Sequence, residues 1–326
     1  MNPSLLTEAV ATTPGISAQV AMLAVPRSNK SWHGFIGQSK IVTRIKSHIA
    51  GAKRVNSQIG TVLLLGTSGS GKSALAVAMA KEIGTKCVKV IGNPKYTVKE
   101  LEKVTAGLAT GDVLFLDEAH SLSMPVQERL MALLECMQPS ATKKVPHFNV
   151  VTATDQPGLL VQALERRMSV RIQVGFYSPE ELVDICGQFA RNLRVSISAQ
   201  GRGLLCKYCR GEPRQIRHLV EGMKRFYSGT SQATKDDVRE FLDSEGYDEH
   251  GNNDTERKYL NVLFLSSTMA LPKLASLVGV DALYIQRRIE PRMLELGWID
   301  IGAGGRTLTE AGKKVATSCL LETSTM

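Results

Sequence analysis

At 326 residues, 43% of them apolar and 22% charged, the chain exceeds one small core and divides into two or three domains at roughly 100 to 200 residues each. No uninterrupted apolar run approaches the ~18 residues that a membrane helix needs, and this composition is ordinary for a soluble globular protein. The formal charge of +9 is unevenly placed, with seven Lys or Arg against one acidic residue over residues 1–60. Such a balance favours a polyanion partner, because cations that neutralise phosphates release counterions, but it does not identify nucleic acid.

In chain order, residues 1–26 come first. They lack a basic flank ahead of their apolar residues, so they read as a flexible tail rather than a secretory signal, and the protein as cytoplasmic. The cysteines agree with that compartment: the one CxxC, Cys206 and Cys209, has no second ligand pair at zinc spacing and reads as ordinary reduced thiols. From about residue 35 to 175, short β-rich runs alternate with longer helical ones, the pattern of an α/β parallel sheet with helices on both faces. The clearest strands are "TVLLL" (61–65), "VLFLD" (113–117) and "FNVVTAT" (148–154). Residues 180–245 read as helices with a break at "RGEPR", and the acidic, Gly- and Asn-rich stretch 243–254 reads as a linker.

Directly after the first of these strands comes "GTSGSGKS", comprising Gly66, Thr67, Ser68, Gly69, Ser70, Gly71, Lys72 and Ser73, which fits GxxxxGK[ST] and leads through Ala74 into a helical run. Glycines let such a loop wrap its N–H groups around a phosphate, the helix N-terminus adds its dipole, Lys72 can reach the β- and γ-phosphates, and Ser73 can hold Mg²⁺. The expected ligands are therefore ATP and Mg²⁺. "VLFLDEAH" brings Asp117 to a strand tip, where it can position the metal, with Glu118 beside it to polarise water. His120 reads as structural or coupling. From the third strand tip, Thr154 or Asp155 could touch the water or the γ-phosphate.

With "FIGQ" (35–38), "TATDQPGLL", "ALERRMSVR", "FYSPEEL" and "GEPRQIRHLV" in this order, the chain resembles the AAA+ ATPases, and among them the RuvB branch-migration motors, from about residue 27 to 316. The resemblance implies an AAA+ P-loop domain over 27–177, a helical lid over 178–250 and a winged-helix DNA-binding domain over 254–320. It also implies a head-to-tail ring, a hexamer, acting on double-stranded or branched DNA. By the same resemblance Arg167 is an arginine finger acting on a neighbour's ATP, although the usual Phe-Gly after it is Met168-Ser169. Arg214 is implied to reach the γ-phosphate from the lid. Ile36, Gly37 and Tyr177 would line the adenine pocket, and Arg27 would approach the nucleotide. Only a twelve-residue stretch, "CMQPSATKKVPH", stands where RuvB carries the long hairpin that docks RuvA, which sets a RuvA-like partner in doubt. It also keeps open a second reading, a loader or initiator that loads another protein.

The last segment reads as three helices, a strand and a Gly-rich turn, the winged-helix arrangement. In the third helix Leu283, Ile289, Met293 and Leu296 are expected to face the core, leaving Tyr284, Arg287, Arg288 and Arg292 for phosphates, with Arg306 at the wing tip.

Overall fold

Nearly continuous apolar runs make the central strands of the first sheet: Thr61–Leu65 (β2), Val113–Asp117 (β4) and Asn149–Thr154 (β5), joined by Cys87–Ile91 (β3) and Val170–Gln173 (β6). A computed structural model describes residues 20–23, 32, 34–137, 145–227, 229 and 231–323. Its described residues fall into two compact units. One comprises those up to Asn192 together with Gly211–Arg217, the other Leu193–Arg210 and those from His218 onward. No described helix is long and apolar enough to cross a membrane.

In the first unit the strand order is β1-β3-β4-β5-β2-β6, with all neighbours parallel except the first pair. That antiparallel strand, Val20–Leu23 (β1), lies inside the stretch expected to be a flexible tail. It pairs with the otherwise open edge of β3, Val20 opposite Val90, and so satisfies backbone groups that an edge leaves unpaired. Helices Ser39–Arg54 (α1) and Lys72–Ile83 (α2) cover one face, where Ile45, Leu75 and Met79 pack on Leu64, Phe115 and Ala153. Val98–Ala106 (α3) and Met124–Cys136 (α4) cover the other, where Leu101, Leu130 and Leu134 pack on Leu63, Leu114 and Val150. Gln162–Arg166 (α5) precedes β6, and Pro179–Leu193 (α6) follows it. Burial on both faces explains why these strands read as continuous apolar runs.

The second unit holds Ala199–Lys207 (α7), most of Pro213–Phe226 (α8) and Lys235–Ser244 (α9). It continues through Asp254–Ser266 (α10), Thr268–Met269 (β7) and Leu271–Val278 (α11). The expected linker between α9 and α10 is well packed: Asp248 and Asn252 are buried, and Asp248 accepts from the backbone of His250 and Asn252 and from the Asn252 amide. Its few apolar residues concealed a polar hub. The third helix of the winged fold is interrupted, running as Ala282–Tyr284 (α12), a π-turn over Ile285–Ile289 and Glu290–Glu295 (α13). Pro291 at the head of α13 has no N–H to donate and its ring crowds the carbonyl four residues earlier, which a wider turn relieves. This puts Ile285 in the core beside Ile289 and Met293, the two expected residues that are buried, and leaves Leu283 and Leu296, also expected to face the core, exposed.

Ile299–Gly302 (β8), Gly305–Leu308 (β9) and Glu310–Thr323 (α14) complete the unit, with sheet order β7-β9-β8. Gly312, in the first turn of α14, sits so close to the preceding loop that an added Cβ would lie 2.0 Å from the Trp298 carbonyl oxygen. In an open helix Gly→Ala stabilises by about 1 kcal/mol. Here overpacking against backbone reverses the sign, and Gly312→Ala is expected to lower stability by ~1–3 kcal/mol, read from the urea midpoint.

Candidate nucleotide site and winged-helix surface

After Leu65 the chain turns through Gly66, Gly69 (φ 81°) and Gly71 (φ 95°) before α2 begins at Lys72. Left-handed φ is open to glycine without steric cost. At Gly71 space matters as well, because an added Cβ would lie 2.6 Å from the Tyr177 hydroxyl, which donates to the Ser70 carbonyl at 3.0 Å. Lys72 Nζ donates to the carbonyls of Gly66 and Thr67 at 2.8 and 2.9 Å. Burial lowers its pKa, opposed by the carboxylates of Glu118, Asp155 and Asp117. Ser70 Oγ is buried without a hydrogen-bond partner, an orphan that a ligand oxygen would satisfy. Ala74 is exposed on the first turn of α2.

Asp117 ends β4, and Ser73 Oγ donates to its Oδ2 at 2.8 Å. Lys89 Nζ, from β3, lies 2.8 Å from the same oxygen and 3.4 Å from Ser73 Oγ. A hydroxyl and a carboxylate are the hard oxygen donors that Mg²⁺ takes, and a cation already stands beside both, so the pair fits a divalent ion. Glu118 turns the chain with φ 51°, a conformation that costs a non-glycine residue ~1–3 kcal/mol and collects at functional sites. Gly92 supports this turn: its N–H donates to the Asp117 carbonyl at 2.7 Å, and an added Cβ would meet the Glu118 carbonyl oxygen at 2.3 Å.

His120 Nδ1 lies 3.6 Å from Glu118 Oε2, 3.7 Å from Asp155 Oδ1 and 3.0 Å from Thr154 Oγ1. Thr154, fully buried at the end of β5, also accepts from the Gln156 N–H at 2.9 Å. The imidazole thus ties the Glu118 turn to the next strand tip. Arg214, from the start of α8, donates to Ser68 Oγ at 2.8 Å, and its Cβ lies 3.1 Å from where a Gly69 Cβ would be. The Tyr177 ring packs within 2.9 Å of a Cβ built on Gly37, so Gly37 and the half-buried Ile36 adjoin the loop through Tyr177. Burial pushes the Tyr177 phenol up to about 12, with Glu181 adding to the shift. Arg27 lies outside the described residues.

The structure sets Arg167 apart from this cluster. Its guanidinium donates to Glu135 Oε1 at 2.5 Å and to the Ala163 carbonyl at 3.1 Å, while its own carbonyl accepts from Thr61 Oγ1 at 2.7 Å. Thr61 opens β2, whereas the glycine loop leaves its other end, roughly 13 Å away at about 3.3 Å per strand step. Met168 is buried in the core, and Ser169 donates to Thr61 twice, from its N–H to Oγ1 and from its hydroxyl to the carbonyl, so Met-Ser anchors the turn that Phe-Gly was expected to form. Arg166 is exposed, and Arg171 pairs with Glu165 at 3.1 Å. The sequence reading passed over Lys89, Gly92 and Gln156. The one available signal was a lysine inside the apolar strand "CVKVI".

Residues 27–174 match the Holliday junction DNA helicase RuvB P-loop domain, and residues 249–317 match the RuvB C-terminal winged helix domain. Over 292 residues, 85% of each chain, the sequence is 32% identical to the Holliday junction branch migration complex subunit RuvB of Kosmotoga olearia. The chain belongs to the RuvB family. The RuvB subunit of Oenococcus oeni is 28% identical over 85% of this chain and 87% of its own. The structure of the Thermotoga maritima RuvB Holliday junction branch migration motor superposes with a TM-score of 0.75 at 27% identity, covering 90% of this chain and 98% of that one. As a RuvB-family P-loop domain, the first unit is a nucleotide-binding module.

On the RuvB winged-helix domain, Tyr284, Arg287 and Arg288 are exposed along the third helix. Arg292 and Arg306 are committed elsewhere. Arg292 donates to Asn252 Oδ1 and the His250 carbonyl, both at 2.7 Å, and stacks over Trp298. Arg306 forms a two-pronged pair with buried Glu290 at 2.7 and 3.3 Å. It points into the domain rather than out from the wing tip, because Glu290, buried on α13, needs a cation beside it.

Proposed function

We propose that this RuvB-family chain is an ATPase motor that couples ATP hydrolysis to movement of branched, Holliday-junction DNA in recombination or repair. One observation carries the reading: Lys72, Ser73, Asp117, Glu118, Thr154 and Arg214, drawn from four separate segments, converge on one glycine loop at the strand tips. In this reading the loop N–H groups and Lys72 bind the phosphates of ATP, while Ile36, Gly37 and Tyr177 flank the base. Ser73 and Asp117 would hold Mg²⁺, which when bound draws charge from the phosphate oxygens. Glu118 accepts the proton of the attacking water, His120 and Thr154 fix its orientation, Asp155 lies beside them, and Arg214 reaches the γ-phosphate. Residues 178–250 serve as the lid and 254–320 as the DNA-binding domain.

The position of Arg167, at the far end of β2 from its own glycine loop, supports action on ATP bound by a neighbouring copy. Such a head-to-tail contact closes into a ring, here a hexamer. Tyr284, Arg287 and Arg288 contact phosphates without reading bases. Each of Arg287→Ala and Arg288→Ala is then expected to weaken duplex binding evenly across sequences and to reduce the salt slope by about 1. The short segment between α4 and β5 supports a second reading, a loader, because it lacks the length of a RuvA-docking hairpin. ATPase and dissociation of a synthetic four-way junction, measured on the same preparation, separate the two. A motor dissociates the junction and Glu118→Gln abolishes it, whereas ATP hydrolysis with no movement of any branched substrate identifies a loader.

A further inference from the structure

Strand β3 alternates Cys87, Lys89 and Ile91 on one side with Val88 and Val90 on the other. Cys87 and Phe115 belong to the core under α2, and Val88 and Val90 to the opposite core. Lys89 therefore emerges on the face that α2 covers. Its stem runs past the Phe115 ring, with Nζ 5.4 Å from the ring centroid, and its ammonium ends at Asp117 Oδ2 (2.8 Å) and Ser73 Oγ (3.4 Å). The side chain is only 21% exposed and that of Asp117 13%. An ammonium drawn that far from water needs a charged partner. The partner here is the carboxylate that would ligate the metal, and the nearest hydroxyl is the other ligand.

We propose that Lys89 is a displaceable counter-cation standing at the metal position between Ser73 and Asp117, so that a divalent ion binds only by breaking the Lys89–Asp117 pair. The inference rests on the reading of Ser73 and Asp117 as the metal ligands. Its physical content is competition. While the ammonium is paired, the carboxylate is unavailable, and the apparent metal affinity is reduced by the fraction of time the pair is open. Lys89 also neutralises Asp117 next to Glu118, which keeps two adjacent carboxylates compatible before metal arrives.

The test is a Mn²⁺ titration of the full chain saturated with ADP, with free Mn²⁺ counted by electron paramagnetic resonance, a readout independent of turnover. Lys89→Met keeps the apolar stem on Phe115 and removes the charge. It is expected to tighten Mn²⁺ binding by roughly three- to thirtyfold. Lys89→Gln, which keeps a donor for Asp117 and so protects the fold, should move the same way by less. Unchanged or weaker Mn²⁺ binding in both variants overturns the proposal. Asp117→Asn separates the two levels of inference. If it abolishes site-bound Mn²⁺ while the Lys89 variants leave affinity unaltered, the metal ligands are right and the role of Lys89 is wrong. Should Asp117→Asn bind Mn²⁺ like the parent, the ligand assignment fails and the counter-cation role falls with it.

Discussion

Mixing Glu118→Gln chains with Arg167→Ala chains is expected to restore ATPase activity that neither variant has alone. Alone, loss of the base should lower turnover by roughly 10²–10⁴, and loss of the finger by roughly 10³–10⁵. A cis arrangement is hard to build from this chain, since the Arg167 carbonyl is fixed to Thr61 at the start of β2 and the glycine loop leaves the end of that strand. In a mixed head-to-tail assembly, a productive interface needs an Arg167→Ala chain supplying Glu118 and a Glu118→Gln chain supplying Arg167. Random mixing at equal amounts yields this at about one interface in four. Activity plotted against mole fraction should therefore rise from near zero at both ends to a central maximum. A flat line at the level of the single variants would remove Arg167 from the mechanism. The Arg167–Glu135 pair does not conflict with this role: both side chains are substantially exposed, at 39% and 62%, and exposed pairs are worth ~0–1 kcal/mol, so a neighbour's phosphate can draw the guanidinium away.

The glycine loop and the two acidic residues at the end of β4 were legible because each is a local pattern: a strand, a turn and a helix contiguous in sequence. Lys89 and Gly92 were hidden because their roles depend on strand register. Ile91 pairs with Asp117 across the sheet, and only that pairing brings Lys89 under Ser73 and Gly92 under the Glu118 turn. Strand β1 was unreadable for the same reason, as its partner β3 lies some seventy residues on. Arg167 was assigned by resemblance alone; in the structure Met168 fills the core and Ser169 binds Thr61, which holds this turn at the start of β2. Periodicity failed at the third winged helix, where Pro291 forces a π-turn and rotates the stripe. The partners of Arg292 and Arg306 were hidden for another reason: the sequence does not reveal which polar and acidic groups are buried beside them.

That last distinction gives the second large effect. Glu290 is 3% exposed and Arg306 holds it with two hydrogen bonds. Removing either partner leaves a charge in the domain core with nothing to balance it, and Glu290→Ala and Arg306→Ala are each expected to cost ~3–5 kcal/mol. Replacing both at once, Arg306→Met with Glu290→Leu, removes the charges together and should recover most of that loss. Trp298 packs against this domain's core, so a Trp32→Phe background makes its fluorescence the reporter in urea unfolding of the full chain. Were Arg306 a phosphate contact, the double variant would still lose DNA affinity and salt slope after stability had returned. The buried pair predicts the reverse: a refolded double variant that binds duplex with the parent's salt dependence, while Arg287→Ala, at full stability, does not.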